Sequence, residues 1–336
     1  MRRRTFITLL AVGSVAACAR PEHATVRGLT MGTSYTVELA APIDDAARTR
    51  LRQLIEAELA AVNRAMSNYD PRSELSEFNR RQDLLWVPAS SGLLDVLDSA
   101  SRISTATRGA FDVTVGPLVD LWGFGPEYRP RRVPSDADIE RVRGRVGYQH
   151  VQTDLSARAI RKAHRHTQLD LSAIAKGYGV DRVATVLDRQ GIDHYLVEIG
   201  GELRARGTTA AGRPWRVGIE RPVEGQRVIG EVVGLENRAI ATSGTTRDFF
   251  QEAGQHYSHC IDPATGRPVE HPPMAVSVLA DTTMEADGWA TALLVLGPER
   301  GFSVAQAHGL AALLVTAAGP TFDSRVTDAF RAHLRG

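Results

Sequence analysis

The sequence has 336 residues, of which 43% are hydrophobic and 24% charged, a composition that excludes a disordered or fibrous chain. Forty lysines and arginines against 39 acidic residues leave a formal charge of +1, which argues against a nucleic-acid partner. Two cysteines, Cys18 and Cys260, exclude a disulfide scaffold. Lys162 and Lys176 are the only lysines, so a lysine within a motif is informative.

The N-terminus has the features of a bacterial lipoprotein signal. Three arginines at 2–4 precede an apolar run over 6–17 that is too short to span a bilayer, and small residues lead up to Cys18. The pattern predicts a signal peptide over 1–17 and lipidation of Cys18. The mature protein is then held by lipid on the periplasmic side of a bacterial membrane. An ordinary signal peptide with an incidental cysteine is the alternative, and both Sec and twin-arginine export stay open.

Residues 18–30 are predicted to be a tether, and residues 31–336 the folded domain. Alternating apolar and polar residues predict a strand over 34–40, and apolar residues three and four apart predict an amphipathic helix over 45–66. A second helix is predicted over 91–107, where Gly109 stops it. The Arg/Pro-rich segment 126–134 is predicted to be a surface loop.

The second half of the chain alternates helices with consecutive strands. A helix is predicted over 172–190, with Ser172 as its N-cap, and another over 284–296 before Gly297. Strands are predicted at 194–199, 215–220, 228–235, 239–242, 275–280 and 310–316. Strands that follow one another without helices favour antiparallel pairing, so the predicted fold class is α+β, with mixed, mainly antiparallel sheets and packed helices. The glycine fingerprint of a dinucleotide-binding Rossmann unit is absent.

A candidate metal site lies in the segment 285–291. Asp287 and Thr291 are four residues apart at the start of a predicted helix, so their oxygens project from one face. A carboxylate and a hydroxyl suit a hard cation such as Mg²⁺. The alternative is an acidic first turn that complements the helix dipole, with Thr291 bonded to its own backbone.

A candidate anion site lies in the segment 169–179. A strand end leads into a helix N-terminus with small residues, where free N–H groups meet an anion, and Lys176 adds a positive charge for a phosphate. The order of residues is not that of a Walker motif. A capped helix that packs through alanine and glycine explains the segment nearly as well.

Two further segments carry residues suited to chemistry or close approach. His259 precedes a turn-forming stretch over 262–268 and is a candidate general base, although a histidine is more often a structural hydrogen-bonding residue. Gly200 and Gly201 lie between two strands and suit a hairpin or the close approach of a flat ligand.

These motifs, taken in order, resemble one family, the bacterial FAD:protein FMN transferases (ApbE-type flavin transferases). The resemblance covers nearly the whole mature chain and agrees with the lipoprotein signal. It is carried by the segments 31–33 (MGT), 66–76 (MSNYDPRSELS), 109–112 (GAFD), 170–179, 198–202, 241–244 (ATSG), 259–268 and 286–287 together with Thr291.

The resemblance implies an ApbE-type, T-fold-like domain that binds FAD and Mg²⁺ and moves the FMN half of FAD onto a Thr or Ser hydroxyl of an acceptor protein, releasing AMP. It places the metal ligands at Asp287, Thr291 and the Ala173 carbonyl, and the catalytic base at His259. The positions that it implies for FAD contacts are Met31, Tyr69, Ala110, Phe111, Asp112, Asp170, Lys176 and Ile261.

Three other functions stay open on the sequence. A lipid-anchored FAD-binding protein would need the same FAD contacts without His259. An Mg²⁺-dependent FAD pyrophosphatase would use water in place of the protein hydroxyl and form FMN and AMP. A solute-binding lipoprotein is disfavoured because the chain lacks two similar α/β lobes.

Overall fold

The computed structural model describes residues 23–126, 129–272 and 274–334. The predicted signal peptide and Cys18 lie outside these residues. The α-helices are α1 Asp45–Met66, α2 Glu74–Arg80, α3 Ser91–Ala106, α4 Gly116–Leu121, α5 Asp136–Arg143, α6 Ala175–Arg189, α7 Thr283–Ala307 and α8 Asp328–Arg331.

The strands fall into one large sheet and several small ones. In chain order they are β1 Ala24–Thr30, β2 Thr33–Leu39, β3 Val87–Pro88, β4 Val151–Asp154, β5 Ala159–Lys162, β6 Tyr195–Ile199, β7 Glu202–Arg206, β8 Trp215–Glu220, β9 Ile229–Leu235, β10 Ala239–Gly244, β11 Phe249–Glu252, β12 Gln255–Ser258, β13 Ile261–Asp262, β14 Arg267–Pro268, β15 Met274–Ala280, β16 Ala311–Ala318 and β17 Thr321–Val326.

The main sheet has eight strands in the order β1-β2-β6-β7-β10-β15-β16-β17 within the described residues. Neighbouring strands in it pair antiparallel throughout. Smaller units are the ribbon β8–β9, the hairpin β11–β12, the pair β13–β14 and the three-stranded sheet β3-β5-β4. The prediction of an α+β fold with mainly antiparallel sheets is confirmed.

Helices cover one face of the main sheet. α1 and α6 bury their apolar sides against β1, β2 and β6, while α7 packs on β10, β15 and β16. On the other side, the ribbon β8–β9 and Phe330 of α8 pack against apolar residues of β7, β15 and β16. The sheet is therefore a middle layer, and α6 and α7 lie side by side on one face of it.

Helix α1 confirms the predicted span. Its apolar residues, spaced three and four apart, are buried (Leu51, Ile55, Leu59, Val62 and Met66). The Asp44 side chain accepts a hydrogen bond from the Ala47 N–H and caps the first turn. The predicted helix over 91–107 also forms, and so do all of the predicted strands. Their ends differ from the prediction by at most two residues.

Three predictions about element ends are wrong. The tether predicted over 18–30 is a strand from Ala24 onward, because β1 pairs along its length with β2. Ser172 does not cap α6, which begins at Ala175; the Ser172 N–H is instead donated to the Asp170 carboxylate. α7 does not end at Leu296, because helical geometry resumes after a kink at Gly297, where φ is 76°.

The double glycine forms a hairpin, as predicted. Gly200 and Gly201 connect β6 to β7 with φ of 63° and 109°, values that suit glycine because a side chain would clash with the backbone. This turn brings Glu202, the first residue of β7, close to the start of α6.

Candidate active site

A cavity of about 920 Å³ opens where α6, α7, the β6–β7 turn and the ribbon β8–β9 meet. This volume lies at the upper end of the range for small-molecule sites, roughly 300–1,000 Å³, and suits a large organic ligand. The cavity is lined by most of the predicted site residues: Tyr69, Ala110, Phe111, Asp112, Asp170, Ala173, Lys176, His259, Ile261, Asp287 and Thr291.

Met31 is the predicted site residue that does not line this cavity. It forms the turn between β1 and β2 with φ of 50°, and its side chain packs between two apolar clusters, over Gly179 of α6. The structure therefore shows Met31 in a packing role beneath the helix that carries Lys176.

Asp287 lies in the first turns of α7 and is 3% exposed. Its carboxylate accepts a hydrogen bond of 3.0 Å from the Gly177 N–H of α6. The two helices approach so closely here that a Cβ on Gly177 would lie 2.4 Å from the Thr283 carbonyl oxygen and 2.9 Å from the Asp287 Cβ. Burial raises the pKa of Asp287, while the Lys176 charge and the Gly177 N–H act against that rise.

This arrangement argues against the alternative hypothesis, in which Asp287 only complements the dipole of its own helix. The cap of α7 is Thr282, whose hydroxyl accepts from the Glu285 N–H, and Asp287 bonds to a different helix. Thr291 does not bond to its own backbone either: its hydroxyl lies 2.9 Å from the Ser243 hydroxyl of β10. Both side chains face the cavity from one side of α7.

The donors here fit a hard cation. Asp287 brings a buried carboxylate to the cavity lining and Thr291 a hydroxyl, and Ala173 also lines the cavity; carboxylate and hydroxyl oxygens suit Mg²⁺ or Ca²⁺. Within residues 23–126, 129–272 and 274–334, no group of three or more His, Cys, Asp or Glu side chains is arranged to hold a metal. A cation at Asp287 would therefore need water or ligand oxygens in its other positions, as Mg²⁺ commonly has.

Lys176 is not free to act as an isolated positive charge. Its Nζ lies 2.5 Å from Glu202 Oε1, and Glu202 is 2% exposed. Burial raises the pKa of Glu202 to about 7 against the opposing charge of Lys176, while the other carboxylate oxygen, Oε2, has no hydrogen-bond partner. Burial lowers the pKa of Lys176, but the carboxylates of Glu202 and Asp287 together outweigh that effect, so the pKa is raised.

Glu202 is a further site residue: it lies in the segment 198–202, and no role in the site was predicted for it. The signal that points to it is the scarcity of lysine, since a buried ammonium requires a carboxylate partner. Asp112, a predicted FAD contact, already accepts hydrogen bonds from other protein groups with both of its carboxylate oxygens. Oδ1 accepts from the Thr114 N–H and hydroxyl, and Oδ2 from the Tyr148 N–H.

His259 lines the same cavity and lies two residues before the start of β13. Its Nδ1 is 3.0 Å from the Asp248 carbonyl oxygen. A carbonyl only accepts, so Nδ1 carries the proton and Nε2 of the neutral ring is left as a proton acceptor. Electrostatic interaction with Cys260, whose Sγ lies 3.8 Å from Nε2, raises the pKa of His259 to about 9. Burial opposes this rise, and the contacts with Asp248 reinforce it.

Comparison with known proteins agrees with this arrangement. The sequence model of the ApbE family matches residues 31–314. The FAD:protein FMN transferase of Vibrio cholerae serotype O1 is 40% identical over 333 residues, which cover 99% of each chain. The enzyme of the same name from Haemophilus influenzae is 40% identical over 327 residues, covering 95% of this chain and 94% of its own.

Solved structures agree as well. The flavin transferase ApbE from Vibrio cholerae superposes with a TM-score of 0.85 at 41% identity, covering 93% of this chain and 99% of that one. The flavinyl transferase ApbE of Pseudomonas stutzeri, in its apo form, superposes with a TM-score of 0.83 at 38% identity, covering 93% and 96%. With a matched family model and relatives of this similarity over nearly full length, the chain belongs to the ApbE family.

Proposed function

We propose that this protein is an FAD:protein FMN transferase, which moves the FMN half of FAD onto a Thr or Ser hydroxyl of an acceptor protein and releases AMP. The observation that carries the proposal is the single cavity into which α6, α7 and the His259 segment bring Lys176, Asp287, Thr291 and His259. The relatives of about 40% identity carry the same activity in their names.

The reaction forms one bond to phosphorus and breaks another. The acceptor hydroxyl oxygen bonds to the phosphorus on the flavin side of FAD, and the anhydride bond to the AMP phosphate breaks, so that AMP leaves with the electron pair. His259 Nε2 takes the hydroxyl proton, while the Asp248 carbonyl holds the ring in the required tautomer. General-base catalysis of this kind typically contributes about 10²–10⁴-fold in rate.

Asp287, Thr291 and the Ala173 carbonyl are the groups proposed to hold Mg²⁺. When bound there, the ion supplies positive charge to the phosphate oxygens, which is the main requirement of phosphoryl transfer. Burial of Asp287 supports this assignment, because a carboxylate that has lost its water gains most from a nearby cation. Tyr69 lines the cavity, is 73% exposed, and is proposed to contact FAD together with Ala110 and Phe111.

Incubation of the protein with FAD, Mg²⁺ and a candidate acceptor tests the function. A mass increase of the acceptor equal to FMN, with release of AMP, is the expected result. FMN and AMP without a labelled acceptor would instead identify an FAD pyrophosphatase, and unchanged bound FAD would identify a carrier. Omission of the metal is the control, and labelling that persists in a chelator would remove Mg²⁺ from the proposal.

The pH dependence of transfer is expected to depend on Cys260. A general base works in its neutral form, so the rate falls as the pH drops below the pKa of His259. Cys260→Ala removes the largest cause that raises this pKa, and the acidic limb of the rate profile is expected to move to lower pH. Transfer rates measured from pH 5 to 10 at saturating FAD check this. An unmoved limb would show that the thiol does not set the basicity of His259.

Anchoring by lipid at Cys18 is the proposed localisation, on the periplasmic side of a bacterial membrane. The arginines at 2–4, the short apolar run and the small residues before Cys18 support it. Among the helices that the structure describes, none is long and apolar enough to cross a membrane.

Replacing Cys18 with alanine is expected to move the protein from the membrane fraction to the soluble fraction, because the thiol that receives the lipid is lost. Immunoblots of fractionated cells that carry the full-length chain measure this, with Cys260→Ala as the matched cysteine control. Protein that stays in the membrane fraction after Cys18→Ala would contradict a lipid anchor at this residue.

A further inference from the structure

The buried charges of the cavity are poorly matched to a pyrophosphate. Asp287 and Glu202 are both buried carboxylates, and Lys176 is the cation between them. Asp170 adds a further acidic side chain to the lining. A ligand with two phosphate charges therefore meets a site that needs more positive charge than Lys176 supplies, even with a divalent ion at Asp287. This step rests on the proposed function, which makes FAD the ligand.

Three arginines line the described part of the cavity, and their surroundings distinguish them. The Arg221 guanidinium lies over the Phe322 ring, 5.4 Å from its centre, and is engaged in packing. Arg227 is 83% exposed and lies 3.9 Å from Glu220. Arg247 donates to the same Glu220 at 2.7 Å, with a side chain that is 61% exposed.

Arg247 is the one of these three arginines that lies in the segment 243–248, which contacts the proposed catalytic groups. It lies between Ser243, whose hydroxyl contacts Thr291, and Asp248, whose carbonyl holds His259. The backbone that carries Arg247 therefore joins a residue that contacts the proposed metal ligand Thr291 to a residue that contacts the proposed base. Arg247 and Lys176 line the same cavity, so both cations are available to one ligand there.

We propose that Arg247 binds the pyrophosphate of FAD, and that Glu220 holds its guanidinium at the cavity wall until the phosphates enter. Guanidinium groups bind phosphate through two parallel hydrogen bonds, which are about twice as strong as neutral ones. An ion pair that is partly exposed to water, as this one is, contributes little to stability, so exchanging the Glu220 carboxylate for a phosphate costs little.

Binding of FAD and of riboflavin tests this inference, because riboflavin has the same ring system and no phosphate. Titrations followed by flavin fluorescence compare the wild type with R247Q, R247K, E220Q and the control R216Q. Arg216 is an exposed arginine on the same strand as Glu220 and does not line the cavity. R247Q is expected to weaken FAD binding about 10-fold or more and leave riboflavin binding unchanged.

The other variants sharpen the result. R247K is expected to recover part of the FAD affinity because it restores the charge without the two-pronged geometry. E220Q is expected to keep or tighten FAD binding, since the arginine loses a competing partner, and R216Q to match the wild type. Equal losses of FAD and riboflavin affinity in R247Q would indicate a structural role, and unchanged FAD affinity would also overturn the inference. Wild-type protein that binds FAD without labelling an acceptor would contradict the proposed transfer and leave this test valid.

Discussion

Replacing Asp287 with asparagine is expected to lower the rate of FMN transfer at least about 100-fold, because it removes the one buried negative charge proposed to bind the metal. Asparagine keeps an oxygen that accepts from the Gly177 N–H, so the contact between α6 and α7 survives. The measurement is the rate of acceptor labelling as a function of Mg²⁺ concentration, with circular dichroism as the check on folding.

Asp281→Asn is the matched control for this variant. Asp281 precedes the same helix, and its side chain is 85% exposed in an ion pair with Arg238 on the surface. This variant is expected to transfer FMN at the wild-type rate. If Asp287→Asn also labels the acceptor at the wild-type rate across the metal range, Asp287 is not a metal ligand and the proposed centre is wrong.

Replacing His259 with alanine is expected to lower the transfer rate by about 10²–10⁴-fold and to leave FAD affinity within about twofold of the wild type. The ring is proposed to take a proton from the acceptor hydroxyl, and alanine leaves no group at Nε2 to do so. Single-turnover labelling at saturating FAD separates this effect from binding. Added imidazole is expected to restore part of the rate, since the variant leaves space where the ring was.

His308→Ala controls for the loss of an imidazole elsewhere, because His308 is exposed at the end of α7. It is expected to behave as the wild type. FAD affinity that falls together with the rate in His259→Ala would show that the ring positions FAD rather than accepting the proton. In that case imidazole would not restore turnover.

The sequence predicts those parts of the fold whose signals are local. The apolar spacing within 45–66 requires only that one side of a helix be buried, and α1 has that span. β1 is not predicted because its alternation is broken: Ala24 and Val26 are buried, but Gly28 follows on the same face and the apolar Leu29 is 86% exposed. The helix after Gly297 was missed because Gly-Pro usually ends a helix, whereas proline is also well suited to begin one.

The same distinction separates the site residues. Asp287 and Thr291 are one helical turn apart, so their common orientation is readable from spacing. The hydrogen-bond partners of the site residues cannot be read from spacing, because they come from other elements. Gly177 contacts Asp287, Ser243 contacts Thr291, and Glu202 contacts Lys176 only once the chain is folded. For the same reason the sequence predicts the positive charge of Lys176 for a phosphate but not its ion pair with Glu202.

The order of strands in the main sheet has a consequence for how the chain acquires its structure. β2 pairs with β6, so that Tyr35 lies opposite Ile199, and among the strands that the structure describes β1 pairs with β2 alone. The N-terminal hairpin therefore pairs with a strand that lies far along the chain, since Tyr35 and Ile199 are 164 positions apart. Pairings of such long range slow folding and leave strand edges unpaired until they form. Until β6 forms, the edge of β2 that faces it is therefore open to pairing with another chain.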